Sequence, residues 1–290
     1  MNGPIQEFHY EIPWSIVSNR PGHHRSHHPG SGFEFHRHAP LLEHPDPRRI
    51  DLHASLNDPL GSWVVRVFRQ RSAIPVYLLA DVSASMGFTG RRRKLDVLAD
   101  FTAAAAYSAY RTGDAFGFIA CDATPHADMR LPLTRMKGAG TLVSDWLQRF
   151  QPSGDSAAGL LEAARTLGRS RALVFIASDF HFPLELLRML LLALSNHYVV
   201  PVVLWDRDEF PSSSRPGMGT LLDSETGRAR VLLLRPSLQR RLAQAFSERQ
   251  RTLQEVFLNH NVRPLLLLDG FDADRVTQYF LDPHAAPTTP

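Results

Sequence analysis

The sequence predicts an α/β fold, a doubly wound and mostly parallel sheet with helices on both faces. Three observations lead there. Short, mostly apolar runs of the kind that form strands buried on both faces recur at Ile74 to Ala80, Ala115 to Ala120, Arg171 to Phe180 and Tyr198 to Trp205. Helical periodicity fills the intervals; Leu95, Val97, Leu98, Phe101, Ala104 and Ala105, for example, form one apolar stripe. The alternation of the two periods is the signature of parallel strands joined by crossover helices.

The elements follow in chain order. Residues 1–72 read as an N-terminal extension. Its first part, to about residue 48, is rich in Pro, Gly and His, and nine of the 14 histidines precede residue 54. The tract His23-His24-Arg25-Ser26-His27-His28 has neither cysteine nor regular ligand spacing, so a solvated basic loop is expected rather than a metal site. Trp63, Val65 and Val67 alternate with polar residues through Arg71, the period of an edge or half-buried strand. A single larger domain is expected over 73–282. After the strand at Ile74 and a helix from Leu95 come a strand at Ala115 to Ala120 and a short antiparallel edge strand within Asp128 to Leu133. Helices are expected at Thr141 to Phe150, Ala157 to Leu167 and Leu184 to Leu194. Strands at Arg171 to Phe180 and Tyr198 to Trp205 flank the last of these. A polar loop, Asp206 to Pro216, precedes a β-hairpin insertion at 219–234 that turns across Glu225-Thr226-Gly227. A long helix to Asn259, a strand ending at Leu268 and a closing helix complete the domain. Residues 283–290, rich in Pro, Ala and Thr, read as a flexible tail.

The chemistry concentrates after the first apolar run. Asp81, Ser83 and Ser85 are separated by one residue each, and alternate side chains leave an extended backbone on the same side. One carboxylate and two hydroxyls therefore converge past the carboxyl end of a central strand, where open α/β sheets bind ligands. Hard oxygens with a single negative charge suit Mg²⁺ or another divalent cation. The alternative is a strand end whose Asp or Ser caps the following helix.

This D-x-S-x-S pattern resembles the metal-ion-dependent adhesion site (MIDAS) of the von Willebrand factor A fold. The wider pattern resembles domain-of-unknown-function family fifty-eight, a bacterial family whose members carry a von Willebrand A-like domain. The resemblance runs from about Gly30 to Leu281 and rests on G-S-G-F-E-F, D-P-R-R-I-D, V-R-V-F-R-Q-R and D-V-S-A-S-M. Arg49 and Asp51 keep the family's arginine and aspartate, with Leu52 where members carry Trp. The resemblance implies two further contributors to the metal. Asp179, in the shared S-D-F, would approach it through water. The loop Gly154-Asp155-Ser156 stands where the fold commonly supplies a Thr; either Asp155 or Ser156 would replace it, or simply cap the next helix. The family's association with MoxR-type AAA+ ATPases implies a chaperone-like partnership in maturing, or inserting cofactors into, an unidentified client complex. The N-terminal wording is similar to the subset found with methanol dehydrogenase genes.

Composition sets the remaining bounds. A hydrophobic fraction of 43% and a charged fraction of 21% are those of a globular protein. Net charge is +3, with a sequence pI of about 9.3, and Lys94 and Lys137 are the only lysines among 32 basic residues. Arginine suits acidic protein surfaces and nucleic acid alike, but these arginines are scattered rather than striped. Arg91, Arg92 and Arg93, beside the motif, are either a docking patch for an acidic partner or a solvated loop. The one cysteine, Cys121, excludes an internal disulfide and fits a reducing compartment. No signal peptide is expected in MNGPIQEFHYEIPW, nor a membrane span in Met189 to Trp205, which Asn196, His197 and Pro201 interrupt. A cytoplasmic location follows. No P-loop pattern occurs. The expected function is non-enzymatic, metal-dependent protein interaction. The alternatives are a metal-dependent phosphohydrolase, for which Ser83 stands in place of the needed general acid, and an Arg-rich nucleic-acid binder.

Overall fold

In the computed structural model, residues 6–14, 21–30, 34–207, 217–222, 229–234 and 236–282 are described. The polar loop expected to Pro216, the hairpin's turn at residues 225–227 and the tail 283–290 lie outside them. The chain divides into two units, one of residues 11–74 with 112–114, the other of residues 1–10, 75–111 and 115–290.

The smaller unit contains strands β1 (Pro21–Gly30), β2 (Glu34–Pro40) and β3 (Val64–Ser72), with the short helix α1 (Leu52–Leu56) between β2 and β3. They form an antiparallel sheet in the order β1-β3-β2. One expectation changes here: the His-rich tract is a strand, not a loop. Of the two readings of the arginine-containing strand, edge or half-buried, the second fits, since β3 is central. Val65 and Val67 are buried with Ala39, as their alternation implied. Asp51 organises this unit. Its Oδ1 accepts the N–H groups of His53 and Ala54 and so caps α1, while Oδ2 takes the Arg66 guanidinium at 2.8 Å and the His38 ring at 3.1 Å. Hydrogen bonds from Arg66 foremost, then Ala54 and His38, hold its carboxyl well below the usual carboxylate range.

In the larger unit the elements run β4 (Pro75–Asp81), α2 (Lys94–Thr112), β5 (Ala115–Cys121), β6 (Pro125–Thr134), α3 (Ala139–Arg149), α4 (Gly159–Thr166), β7 (Leu173–Ser178), α5 (Leu184–Ala193) and β8 (Tyr198–Trp205). The hairpin β9 (Gly217–Leu222) and β10 (Ala229–Leu234) follows, paired antiparallel as a two-stranded sheet. Then come α6 (Pro236–Asn259), β11 (Leu265–Leu268) and α7 (Ala273–Leu281). The main sheet has six strands in the order β11-β8-β7-β4-β5-β6, all parallel except the edge strand β6. This is the α/β class that the sequence predicted, a mostly parallel sheet with helices between its strands. Counted along the main sheet alone, the strands read 6-5-4-1-2-3. The order therefore reverses between β4 and β7, and that reversal is the switch point at which doubly wound sheets bind ligands.

Each strand feeds two cores by alternation. On β7, Val174 and Ile176 join Leu160 and Ala163 of α4, Leu187 and Leu190 of α5 and Phe257 of α6. Phe175 between them meets Phe101 of α2 and Phe280 of α7. Phe8 stacks on Phe101 at 5.8 Å, and its N–H donates to Ser108. This first segment, read in the sequence as part of the extension, thus belongs to the larger unit's core. Among the described residues no helix is long and apolar enough to cross a membrane.

Candidate functional site at the sheet's switch point

The two strands flanking the switch point each end in a buried acid. Asp81 closes β4 and Asp179 follows β7; both are 1% exposed. The chain after Asp81 folds back on it. The Ser83 N–H donates to Asp81 Oδ1 at 2.9 Å, and a 3₁₀ turn over Ala84–Gly87 brings the Ser85 hydroxyl within 3.4 Å of the Ser83 hydroxyl. The second Asp81 oxygen takes a hydrogen bond of 2.6 Å from the Ser178 hydroxyl across the sheet. Ser178 Oγ in turn accepts the Phe180 N–H at 2.8 Å. Phe180 sits at φ 55°, a left-handed conformation that non-glycine residues adopt only when neighbours enforce it. Arg249 of α6 supplies part of that enforcement, donating to the carbonyls of Phe180 and Phe182.

Asp179 is held on three sides. Its carbonyl accepts from the Trp205 indole at 2.9 Å, Oδ1 accepts the His181 N–H at 3.2 Å, and Oδ2 receives the Lys94 ammonium at 2.8 Å. Lys94 is itself 2% exposed, its ammonium 5.6 Å from the centre of the Phe88 ring. The two acids diverge for this reason. Burial and the negative charge of Asp179 push the Asp81 carboxyl up to about 6, against hydrogen bonds from Ser178 and Ser83 that pull it down. Burial would raise Asp179 as well, but the charges of Lys94 and His181 outweigh it and leave that carboxyl below its ordinary value.

Asp81, Ser83, Ser85 and Asp179 are thus brought together as the sequence placed them. The loop at 154–156 reaches the motif differently: the carbonyl of Gly154 accepts the Ala84 N–H at 2.7 Å. Only glycine fits there, because a Cβ would lie 2.6 Å from the Asp122 side chain. Asp155 is exposed, and the Ser156 hydroxyl accepts the Ala158 N–H at 3.1 Å in a local turn ahead of α4, whose N-cap, Ala158, has no side-chain cap. The arginines have internal partners. Arg91 gives its N–H to Asp206 and its guanidinium to Asp269, Arg92 pairs with Asp100, and Arg93 reaches the carbonyls of Gln148 and Phe150. Cys121 is fully buried, and burial foremost, with Asp81 and Asp122 nearby, pushes its thiol up, away from the thiolate.

Sequence reasoning missed Ser178, Lys94, Asp206 and Asp269. A signal existed for the acids: Asp81, Asp179, Asp206 and Asp269 each stand at the carboxyl end of one of the four adjacent strands β4, β7, β8 and β11. Among the described residues no group of three or more His, Cys, Asp or Glu side chains could hold a metal ion. A cation here would depend on the hydroxyls of Ser83 and Ser85 together with Asp81.

Residues 46–254 match the family described as protein of unknown function DUF58. This chain belongs to DUF58. A relative from Paracoccus denitrificans, described as an uncharacterised protein in the moxR 3′ region, is 36% identical over 102 residues, which is 35% of this chain and 97% of the relative. Two solved structures align over 72% of this DUF58 chain and 98% of their own. They are an aerotolerance-related membrane protein from Bacteroides fragilis at 12% identity and the conserved hypothetical protein BatB from Bacteroides thetaiotaomicron at 13%, each with a TM-score of 0.41.

Proposed function

We propose that this chain is a non-enzymatic, metal-dependent protein-interaction module. It works with a MoxR-type AAA+ ATPase in the chaperone-like maturation of, or cofactor insertion into, a client complex. The observation that carries this reading is the donor set at the switch point. Asp81 is a buried carboxylate with the Ser83 hydroxyl within hydrogen-bond reach and the Ser85 hydroxyl 3.4 Å further on, while Asp179 is already paired with Lys94. Two carboxylates and one ammonium leave one negative charge, and that charge with two hydroxyls suits Mg²⁺, a hard cation that prefers oxygen ligands and keeps some of its waters. Asp81, Ser83 and Ser85 would hold the ion, which when bound supplies a Lewis-acidic point with room for a partner's carboxylate. The protein's part is to fix the donors: Ser178 orients Asp81, Gly154 pins the motif's turn, and burial strengthens every interaction made there. The position of a DUF58 relative beside moxR supports the ATPase as partner.

A phosphohydrolase would need a general acid two residues after Asp81, and that residue is Ser83. The deciding experiment measures binding of the full chain to the MoxR-type ATPase of the same genome, by biolayer interferometry, in Mg²⁺ and in EDTA. Affinity at least tenfold weaker in EDTA, and in Ser83→Ala with Mg²⁺ present, is expected. Equal affinity under all three conditions would sink the reading.

A further inference from the structure

We infer that Lys94 is a cation built into the crest of the sheet, which claims Asp179 and leaves a bound divalent ion the single carboxylate of Asp81. The inference rests on the cation site proposed above and assigns one residue the setting of its affinity.

Two features make Lys94 an improbable accident of packing. Its side chain is 3% exposed, and burying an ammonium is strongly unfavourable unless a partner compensates. It is also the first residue of α2, the end of a helix where positive charge is disfavoured. Compensation is specific: the ammonium lies 2.8 Å from Asp179 Oδ2, on an acid whose other carboxylate oxygen and whose carbonyl are fixed by His181 and Trp205. The neighbouring acids have donors of their own, the Arg91 backbone amide for Asp206 and the guanidinium groups of Arg91 and Arg207, at 3.4 Å each, for Asp269.

The consequence is electrostatic. Were Asp179 unclaimed, two carboxylates at the ends of adjacent strands would face the same ion and bind it tightly with its charge fully met. With Lys94 in place the ion meets one carboxylate, binds more weakly and retains net positive charge. An acidic side chain from a partner then completes it, so the ion and the partner assist each other's binding.

The test is Mn²⁺ titration of the full chain, with the free ion followed by electron paramagnetic resonance, for the wild type, Lys94→Met and the double variant Lys94→Met/Asp179→Asn. Lys94→Met is expected to bind Mn²⁺ at least tenfold more tightly than the wild type, and the double variant to lose that gain. Lys94→Gln, which keeps a donor near Asp179 without the charge, carries the same expectation if Lys94→Met does not fold. Equal affinities in wild type and single variants would overturn the inference and leave the metal-dependent reading standing. Binding by the variants alone would uphold the inference and remove that reading for the native chain. No binding by any form, or tightening that survives in the double variant, would also overturn the inference.

Discussion

Replacing Asp81 by Asn removes a charge that the fold itself resists, and the size of the effect follows from the strand ends. In the folded chain burial and the facing charge of Asp179 push the Asp81 carboxyl up to about 6, against an ordinary value of 3.8. Between these values the native state keeps a proton that the unfolded chain has released, so stability falls as pH rises through this window. At 1.36 kcal/mol per unit, the penalty is about 3 kcal/mol at pH 7.5 and roughly half that at pH 5, a difference of about 1–2 kcal/mol that Asn cannot show. The assay is urea unfolding of the wild type and Asp81→Asn at both pH values in EDTA. Comparing the two pH dependences cancels other titrating groups such as Asp51. The wild type should lose about 1–2 kcal/mol more than the variant between pH 5 and 7.5. Matching pH dependences would refute the argument that Asp81 is ionised against burial and Asp179, and with it the charge count at the switch point.

Two further substitutions probe the scaffold around the site. Ser178→Ala removes the donor to Asp81 and the acceptor for the Phe180 N–H, both buried, and should destabilise the chain by about 2–4 kcal/mol in urea unfolding; a loss below about 0.5 kcal/mol would show that water replaces it. Gly90→Ala places a Cβ 2.3 Å from the carboxyl carbon of Asp206 and should cost about 1–3 kcal/mol, read as a lower urea midpoint at unchanged slope.

The sequence by itself located the crest of the sheet. Strand β4 and its D-x-S-x-S turn are contiguous, so the alternation of side chains along one backbone placed Asp81, Ser83 and Ser85 on a common side. The same held for β7 and β8, whose continuous apolar runs announce burial on both faces. β1 was illegible because its Pro, His, Arg and Ser residues carry no apolar period; main-chain pairing with β3 makes it a strand, and pairing partners are not written locally. Asp155 illustrates a second limit: loop position suggested a ligand, yet the loop meets the motif through the Gly154 carbonyl, a backbone group that no residue type advertises.

What only the tertiary structure decided is where the charges meet. Lys94 stood in the sequence as the last of four consecutive basic residues, and nothing local separated it from Arg91, Arg92 and Arg93. Folding turns it inward onto Asp179, 85 residues away, while its neighbours take other acids and carbonyls. Side-chain period depends on the nearest few residues and can be read along a line. Ion pairing in a buried site depends on which strand ends the topology sets side by side, and that order, with β4 next to β7, exists only once the sheet has closed around its switch point.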